Sequence, residues 1–358
     1  MTITQERELD QDVLDEFMGR FIQELAAASQ VATVIIGDRL GLYHTLDAVG
    51  PCTSAELASA TGTHERYVRE WLRGQAAGGY VSYDSQTDEY SLTPEQSFTL
   101  AQPDSPAYIP GAFLTVAATV RAVPAITEAF TTGAGFGWHQ HHPDLFEGVE
   151  RFFRPGYAVN LVSSWLPSLD GVVEKLTAGA RVADVGCGHG VSTILMAEAF
   201  PKSQFVGFDY HQPSIERATQ QASAAGLTAN CSFDVAGAAD YPHGDYDLVA
   251  FFDCLHDMGD PIGVATHVRE TLAPDGSWMI VEPYANEAVA DNLNPIGRLY
   301  YNSSTMICVP NSLSQETGAA LGAQAGEQAI HDVTVAAGFH DFRRVTETPF
   351  NIVYQARP

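Results

Sequence analysis

Lysine is almost missing from this chain: Lys175 and Lys202 are the only two in 358 residues, and 18 basic residues face 44 acidic ones for a formal net charge of −26. A field of that sign opposes both a phosphate backbone and an anionic bilayer, so neither nucleic acid nor membrane is an expected partner. Cysteine is sparse as well. Cys52, Cys187, Cys231, Cys254 and Cys308 are scattered, odd in number and without a C-x-x-C pair. That excludes a disulfide framework and reads as free thiols in a reducing compartment. No apolar run is expected to span a bilayer, and Met1–Glu8 is too acidic and polar for a secretory leader, so a cytoplasmic location is expected. Internal repeats and low-complexity tracts are missing too. This length exceeds what one ordinary core serves, and two domains are the default.

What is present is concentrated in Arg181-Val182-Ala183-Asp184-Val185-Gly186-Cys187-Gly188-His189-Gly190. An apolar run ends in an acid and three alternating glycines, which predicts a buried strand, a tight turn and a helix opening near Val191. Phe205–Asp209 and Cys231–Asp234 repeat the apolar run with a terminal acid. Asp184, Asp209 and Asp234 are each 25 residues apart, so they are expected along one edge of a parallel sheet, at the ligand crevice of an open α/β fold.

The ligand follows from charge. A dinucleotide site expects G-x-G-x-x-G with its pyrophosphate on the helix N-terminus; here Val191 stands where the third glycine should be, and Asp184 would repel the phosphates. S-adenosylmethionine (SAM) has no phosphate and carries an ammonium and a sulfonium. Asp184 can face the ammonium, Asp209 the ribose hydroxyls and Asp234 the adenine amine. With these acids, D-V-G-C-G-H-G resembles the signature of class I SAM-dependent methyltransferases. The resemblance implies a Rossmann-like, mostly parallel seven-stranded sheet behind an N-terminal winged-helix domain. Gly186, Cys187, Gly188, Tyr210, Val235 and Phe252 are expected to join the three acids around SAM.

Toward the N-terminus, Asp12–Gly37 has helical periodicity, with Val13, Phe17, Phe21, Leu25 and Ala28 on one face. Thr53-Ser54-Ala55-Glu56 matches a capping box. Two short helices, a Gly78-Gly79 stop and strands at Tyr80–Tyr83 and Glu89–Leu92 complete a winged helix. Its second helix mixes Arg66, Arg69 and Arg73 with Glu65 and Glu70, which argues against a phosphate-facing surface. The layout is similar to small-molecule O-methyltransferases of the plant type and their bacterial relatives, in which this module dimerises. The expected divisions are 1–100, a winged-helix dimerisation domain; 101–170, a helical connector contributing to the substrate pocket; and 171–358, the catalytic domain. A homodimer is implied.

The loop after the fourth strand of the catalytic domain reads Leu255-His256-Asp257-Met258-Gly259-Asp260 and resembles the family's L-H-D-W-x-D. Carried over, His256 is a general base and Glu282 the acid that orients it. A second orienting acid is expected near Gln324, where Glu327 is the available substitute. Trp138, His139, His141, Phe153, Tyr157 and Tyr301 are candidate substrate contacts. The cluster Trp138–His142 could also hold a metal, but it lacks an acid or cysteine partner at ligand spacing, and none is expected. The expectation is methyl transfer to a small-molecule acceptor, most simply at a hydroxyl. Transfer to nitrogen or carbon, a SAM-responsive regulator and a nicotinamide oxidoreductase remain as alternatives.

Overall fold

The computed structural model describes residues 9–358; the Met1–Glu8 leader reading lies outside the described residues. The chain divides into two compact units, Met1–Ala117 and Ala118–Pro358.

In the first unit, α1 (Gln11–Arg39), α2 (Leu42–Val49), α3 (Ser54–Thr61) and α4 (Glu65–Ala77) precede a hairpin of β1 (Ser82–Asp84) and β2 (Glu89–Ser91), then α5 (Pro94–Leu100). Thr53 caps α3 through the expected box, accepting from Glu56 N while the Glu56 carboxylate accepts from Thr53 N. Val34, Leu46, Leu57, Val68, Trp71 and Leu72 form the core. Along α4, Arg66 pairs with Glu70 at 2.6 Å and Arg69 with Glu65 at 2.7 Å. The apolar face of α1 is a surprise. Val13, Phe17, Phe21, Leu25 and Ala28 are all exposed, and burial is confined to Val34 and Gly37.

The helix α6 (Pro110–Thr132) carries the boundary between the units. Contrary to the sequence expectation, it is long and apolar enough to cross a bilayer by length and composition. Only 22% of its apolar window is buried. Pro124 lies within it, and Arg121 bonds His142 at 3.1 Å and Asp144 at 3.3 Å.

The second unit continues through α7 (Pro143–Asn160), a π-helical turn at Leu161–Trp165 and α8 (Val172–Ala178). The strands are β3 (Arg181–Val185), β4 (Gln204–Asp209), β5 (Cys231–Val235), β6 (Tyr246–Phe252), β7 (Leu272–Pro283), β8 (Asp341–Glu347) and β9 (Asn351–Arg357). Helices α9 (Val191–Ala199), α10 (Gln212–Ala224), α11 (Pro261–Thr271), α12 (Pro295–Met306), α13 (Cys308–Leu313) and α14 (Gly326–Ala336) connect them. The strand order is β5-β4-β3-β6-β7-β9-β8, parallel except for β9, which runs antiparallel to both neighbours. This is the expected seven-stranded α/β sheet. Alternation along the strands builds two cores. Val182, Leu248, Ala250 and Phe252 meet α8, α9 and α10 on one face, and Val185, Val249, Phe251 and Ile280 meet α11 and α14 on the other. The chain leaves β3 toward β4 and β5, then returns to β6 on the other side, so a switch point opens between β3 and β6.

Residues 288–326, where no helix is read from the sequence above, contain α12 and α13. Asn294 caps α12 by accepting from Gly297 N, and Pro295 occupies its first turn.

Candidate active site

The glycine loop lies at the carboxyl end of β3. Gly186, Gly188 and Gly190 have φ of +74°, +53° and +78°, a region that favours glycine. A Cβ on Gly186 would lie 2.8 Å from the Cys254 sulfur, whereas one on Gly188 would meet nothing within 4 Å. The loop is thus closed underneath and open above. Gly186 N and Cys187 N donate to Phe208 O, and the Cys187 side chain is buried in the core. Any ligand above the loop meets backbone there.

Strand register separates the three acids that the sequence spaces equally. Asp184 pairs with Gly207, Phe208 with Asp234, and Asp209 with Val235. Asp184 and Asp209 therefore share one face at different levels, and Asp234 falls on the other. The Asp184 Oδ2 accepts from Ser192 and Thr193, both at 2.6 Å, while its buried Oδ1 has no partner. Burial pushes this carboxyl up to about 6. Asp209 accepts from Gly188 N at 2.9 Å and His211 N at 2.8 Å, which leaves one lone pair on each oxygen. Tyr210, Asp234 and Val235 are exposed at the rim. Phe252 lies deeper, 5.3 Å from the Tyr157 ring.

Past β6, Asp253 has a φ of +52° and accepts from Tyr157 Oη at 2.7 Å and Asn351 Nδ2 at 2.7 Å. Burial pushes Asp253 up to about 7, and Asp257 likewise to about 7. With Asp184 and Asp209 these groups make a buried acidic crevice suited to a cation, and SAM fits it. The orphaned Asp184 oxygen, the open space above Gly188 and the free lone pairs of Asp209 are each what that molecule requires.

His256 is 3% exposed, with its Nδ1 2.6 Å from Glu282 Oε2, while Glu282 Oε1 accepts from Leu255 N at 3.1 Å. Burial disfavours the charged ring, but Glu282 and Cys308 outweigh it and hold His256 well above its ordinary range. Gln324 instead donates to Tyr284 O and Ala323 O, and Glu327 pairs with Arg344. Neither orients His256, so the expected second acid is replaced by a different arrangement: the His256 Nε2 meets the Cys308 sulfur at 3.3 Å.

Around Cys308 lies an apolar cluster of Phe146, Tyr300, Ile307 and Ala323, with Trp138, Val149, Ile296 and Met306 packed on it. The backbone N–H of Trp138 donates to Asn311 Oδ1 at 2.9 Å, and Asn311 Nδ2 donates to Asp257 O at 3.2 Å. This ties the Trp138 loop to the His256 loop. Exposed His139 reaches only the Tyr210 ring edge, 6.1 Å away. His141 is buried 4.8 Å from the Phe136 ring with both nitrogens unpartnered, and burial pushes it down to about 4. Phe153 stacks on Tyr157 at 5.6 Å. In α12 it is Tyr300 that enters the cluster, whereas Tyr301 is half-buried outside it. The imidazoles of residues 139–142 do not converge on one ion. Among the described residues, ligand atoms close enough to share one belong to His243, His267 and Glu270, elsewhere on the surface. Sequence reasoning missed Cys308, Asn311 and Asp253; only their contacts identify them.

Residues 176–333 match the family model described as a methyltransferase domain, and residues 27–102 match an Rv2258c-like winged HTH domain. The 27-O-demethylrifamycin SV methyltransferase of Amycolatopsis mediterranei is 30% identical over 131 residues, 34% of this chain and about half (48%) of that enzyme. The mitomycin biosynthesis 6-O-methyltransferase of Streptomyces lavendulae is 23% identical over 276 residues, 74% of this chain and 77% of that one. The structure of human N-acetylserotonin methyltransferase in complex with SAM is similar in fold, with a TM-score of 0.69 at 18% identity over 99% of each chain. Residues 27–102 therefore match a winged helix-turn-helix domain and residues 176–333 a methyltransferase domain, in a fold similar to that of the methyltransferase structure.

Proposed function

We propose that this protein is a cytoplasmic, homodimeric SAM-dependent O-methyltransferase of a small, largely apolar acceptor. The observation that carries the reading is the buried His256–Glu282 pair, its Nε2 turned to an apolar cluster beside the acidic crevice. Backbone groups of Gly186, Cys187 and Gly188, the carboxylates of Asp184 and Asp209, and the rim residues Tyr210, Asp234 and Val235 would hold SAM. When bound, SAM supplies a methyl group on a positively charged sulfur. Glu282 accepts the Nδ1 proton of His256, fixes the tautomer and leaves the Nε2 lone pair to take the acceptor's proton. Trp138, Phe146 and Ile307 exclude water from that proton. The two O-methyltransferase relatives favour a hydroxyl acceptor over nitrogen or carbon. A regulator role is disfavoured by α4, whose Arg66 and Arg69 are engaged by its own glutamates.

The test is calorimetric titration with S-adenosylhomocysteine, wild type beside Asp209→Ala, followed by acceptor turnover in His256→Ala. Micromolar binding lost in the first variant is expected, with a rate loss of roughly 10²–10⁴ in the second. Absence of wild-type binding would sink the cofactor site. Near-normal turnover in His256→Ala would sink the base and leave nitrogen or carbon transfer.

A further inference from the structure

Cys308 is 8% exposed, and its sulfur is a polar group on the otherwise unclaimed Nε2 of His256. The contact is built rather than incidental. Ser312 Oγ donates to Met258 O at 2.8 Å, Gln315 Nε2 to Asp257 O at 3.2 Å, and Gly259 N to Gln315 Oε1 at 2.8 Å. With Asn311, these bonds clamp α13 and the residues just after it onto the His256 loop. Gly322 N, donating to His256 O at 3.0 Å, closes it from the other side. Cys308 also belongs to the apolar cluster, so its thiol stands between the ring nitrogen and those side chains.

We propose that Cys308 is a further catalytic residue: Glu282, His256 and Cys308 form one proton-sharing triad, and the thiol is the group that meets the acceptor's hydroxyl. This rests on the reading of His256 as the base. In the resting triad Glu282 holds the Nδ1 proton of His256, and the Cys308 thiol donates its S–H to the Nε2 lone pair. On methyl transfer the acceptor's O–H bond breaks and a new S–H bond forms on Cys308, as the former thiol proton passes to Nε2. The oxygen's electron pair bonds the methyl carbon, and the pair of the broken methyl–sulfur bond stays with the departing thioether. The triad gains one proton, held on His256, and later loses it to solvent.

Failure of His256 as a base shows as turnover retained in His256→Ala, whatever Cys308 does. Cys308→Ala should lower kcat roughly tenfold or more and move the acid limb of kcat/KM to lower pH, with S-adenosylhomocysteine affinity kept. An unchanged kcat and acid limb would make the thiol mere filling and refute the proposal.

Discussion

At the scale of single residues, the acidic crevice has a consequence for pH. Asp184 is pushed up to about 6, and Asp253 and Asp257 to about 7, each chiefly by burial. For acids raised in the folded state, the stabilising contribution is fully present below the unfolded value near 4. It is lost as pH rises through about 6 to 7. The ligand-free protein should therefore lose thermal stability between about pH 4 and about pH 7. A sulfonium ligand favours the ionised acids, so SAM binding should release protons and tighten as pH rises through that window. S-adenosylhomocysteine lacks the sulfonium charge and should respond less. Calorimetry in buffers of different ionisation heat measures both, and a ratio of SAM to S-adenosylhomocysteine affinity that ignores pH would refute the coupling. Single residues were legible where chemistry is local. The glycine loop and the His256–Glu282 pair follow from short motifs, one at the end of each strand. Cys308 was not legible, because its partner is 52 residues away and nothing near it in sequence marks a thiol as functional. Tyr301 is half-buried outside the apolar cluster, and its neighbour Tyr300, about 100° around the helix, holds the buried position.

At the scale of elements, apolar runs ending in an acid revealed β3, β4 and β5 to within about a residue. The equal spacing of Asp184, Asp209 and Asp234 correctly placed all three at the carboxyl ends of adjacent parallel strands, but it did not give their faces, because β3 aligns with β4 at an offset of 23 residues and β4 with β5 at 26. Spacing in sequence includes loops; register does not. Helices α12 and α13 escaped notice because their polar and proline-interrupted sequences lack a clean apolar stripe, although the Asn294-Pro295 start was available as a signal. Those helices form the wall on which the Trp138 loop rests, and Gly135 is where the two meet most closely. A Cβ there would lie 1.9 Å from Ser314 N, a backbone atom that cannot simply rotate away. Gly135→Ala should push the loop off α13 and strain the Phe136 N–H to Pro310 O bond, now 2.8 Å. The expected cost is about 1–3 kcal/mol of stability. KM for the acceptor should rise while S-adenosylhomocysteine affinity stays near wild type. Equal damage to both ligands would mean that this loop does not belong to the acceptor side.

At the scale of the whole molecule, the net charge of −26 and the bare face of α1 pull in opposite directions. Val13, Phe17, Phe21 and Leu25 repeat every four residues and are 62%, 50%, 51% and 59% exposed, so one stripe of large side chains runs along the first half of the helix. The sequence periodicity was correct as a statement of amphipathicity, but it could not say what the face packs against. A contiguous apolar stripe of this kind marks an association surface, and a second copy of the chain is the occupant that the homodimer reading supplies. Two chains of like charge repel, and added salt screens that repulsion while it strengthens apolar burial. Dimerisation should accordingly tighten as salt is raised, the reverse of an interface held by ion pairs. Phe17→Glu with Phe21→Glu places two charges on the stripe without touching the core of the first unit, and should yield a folded monomer. Sedimentation velocity of wild type and variant at low and high salt decides the matter. A wild type that stays monomeric at high salt, or a variant that associates as well as wild type, would free the α1 face from this role.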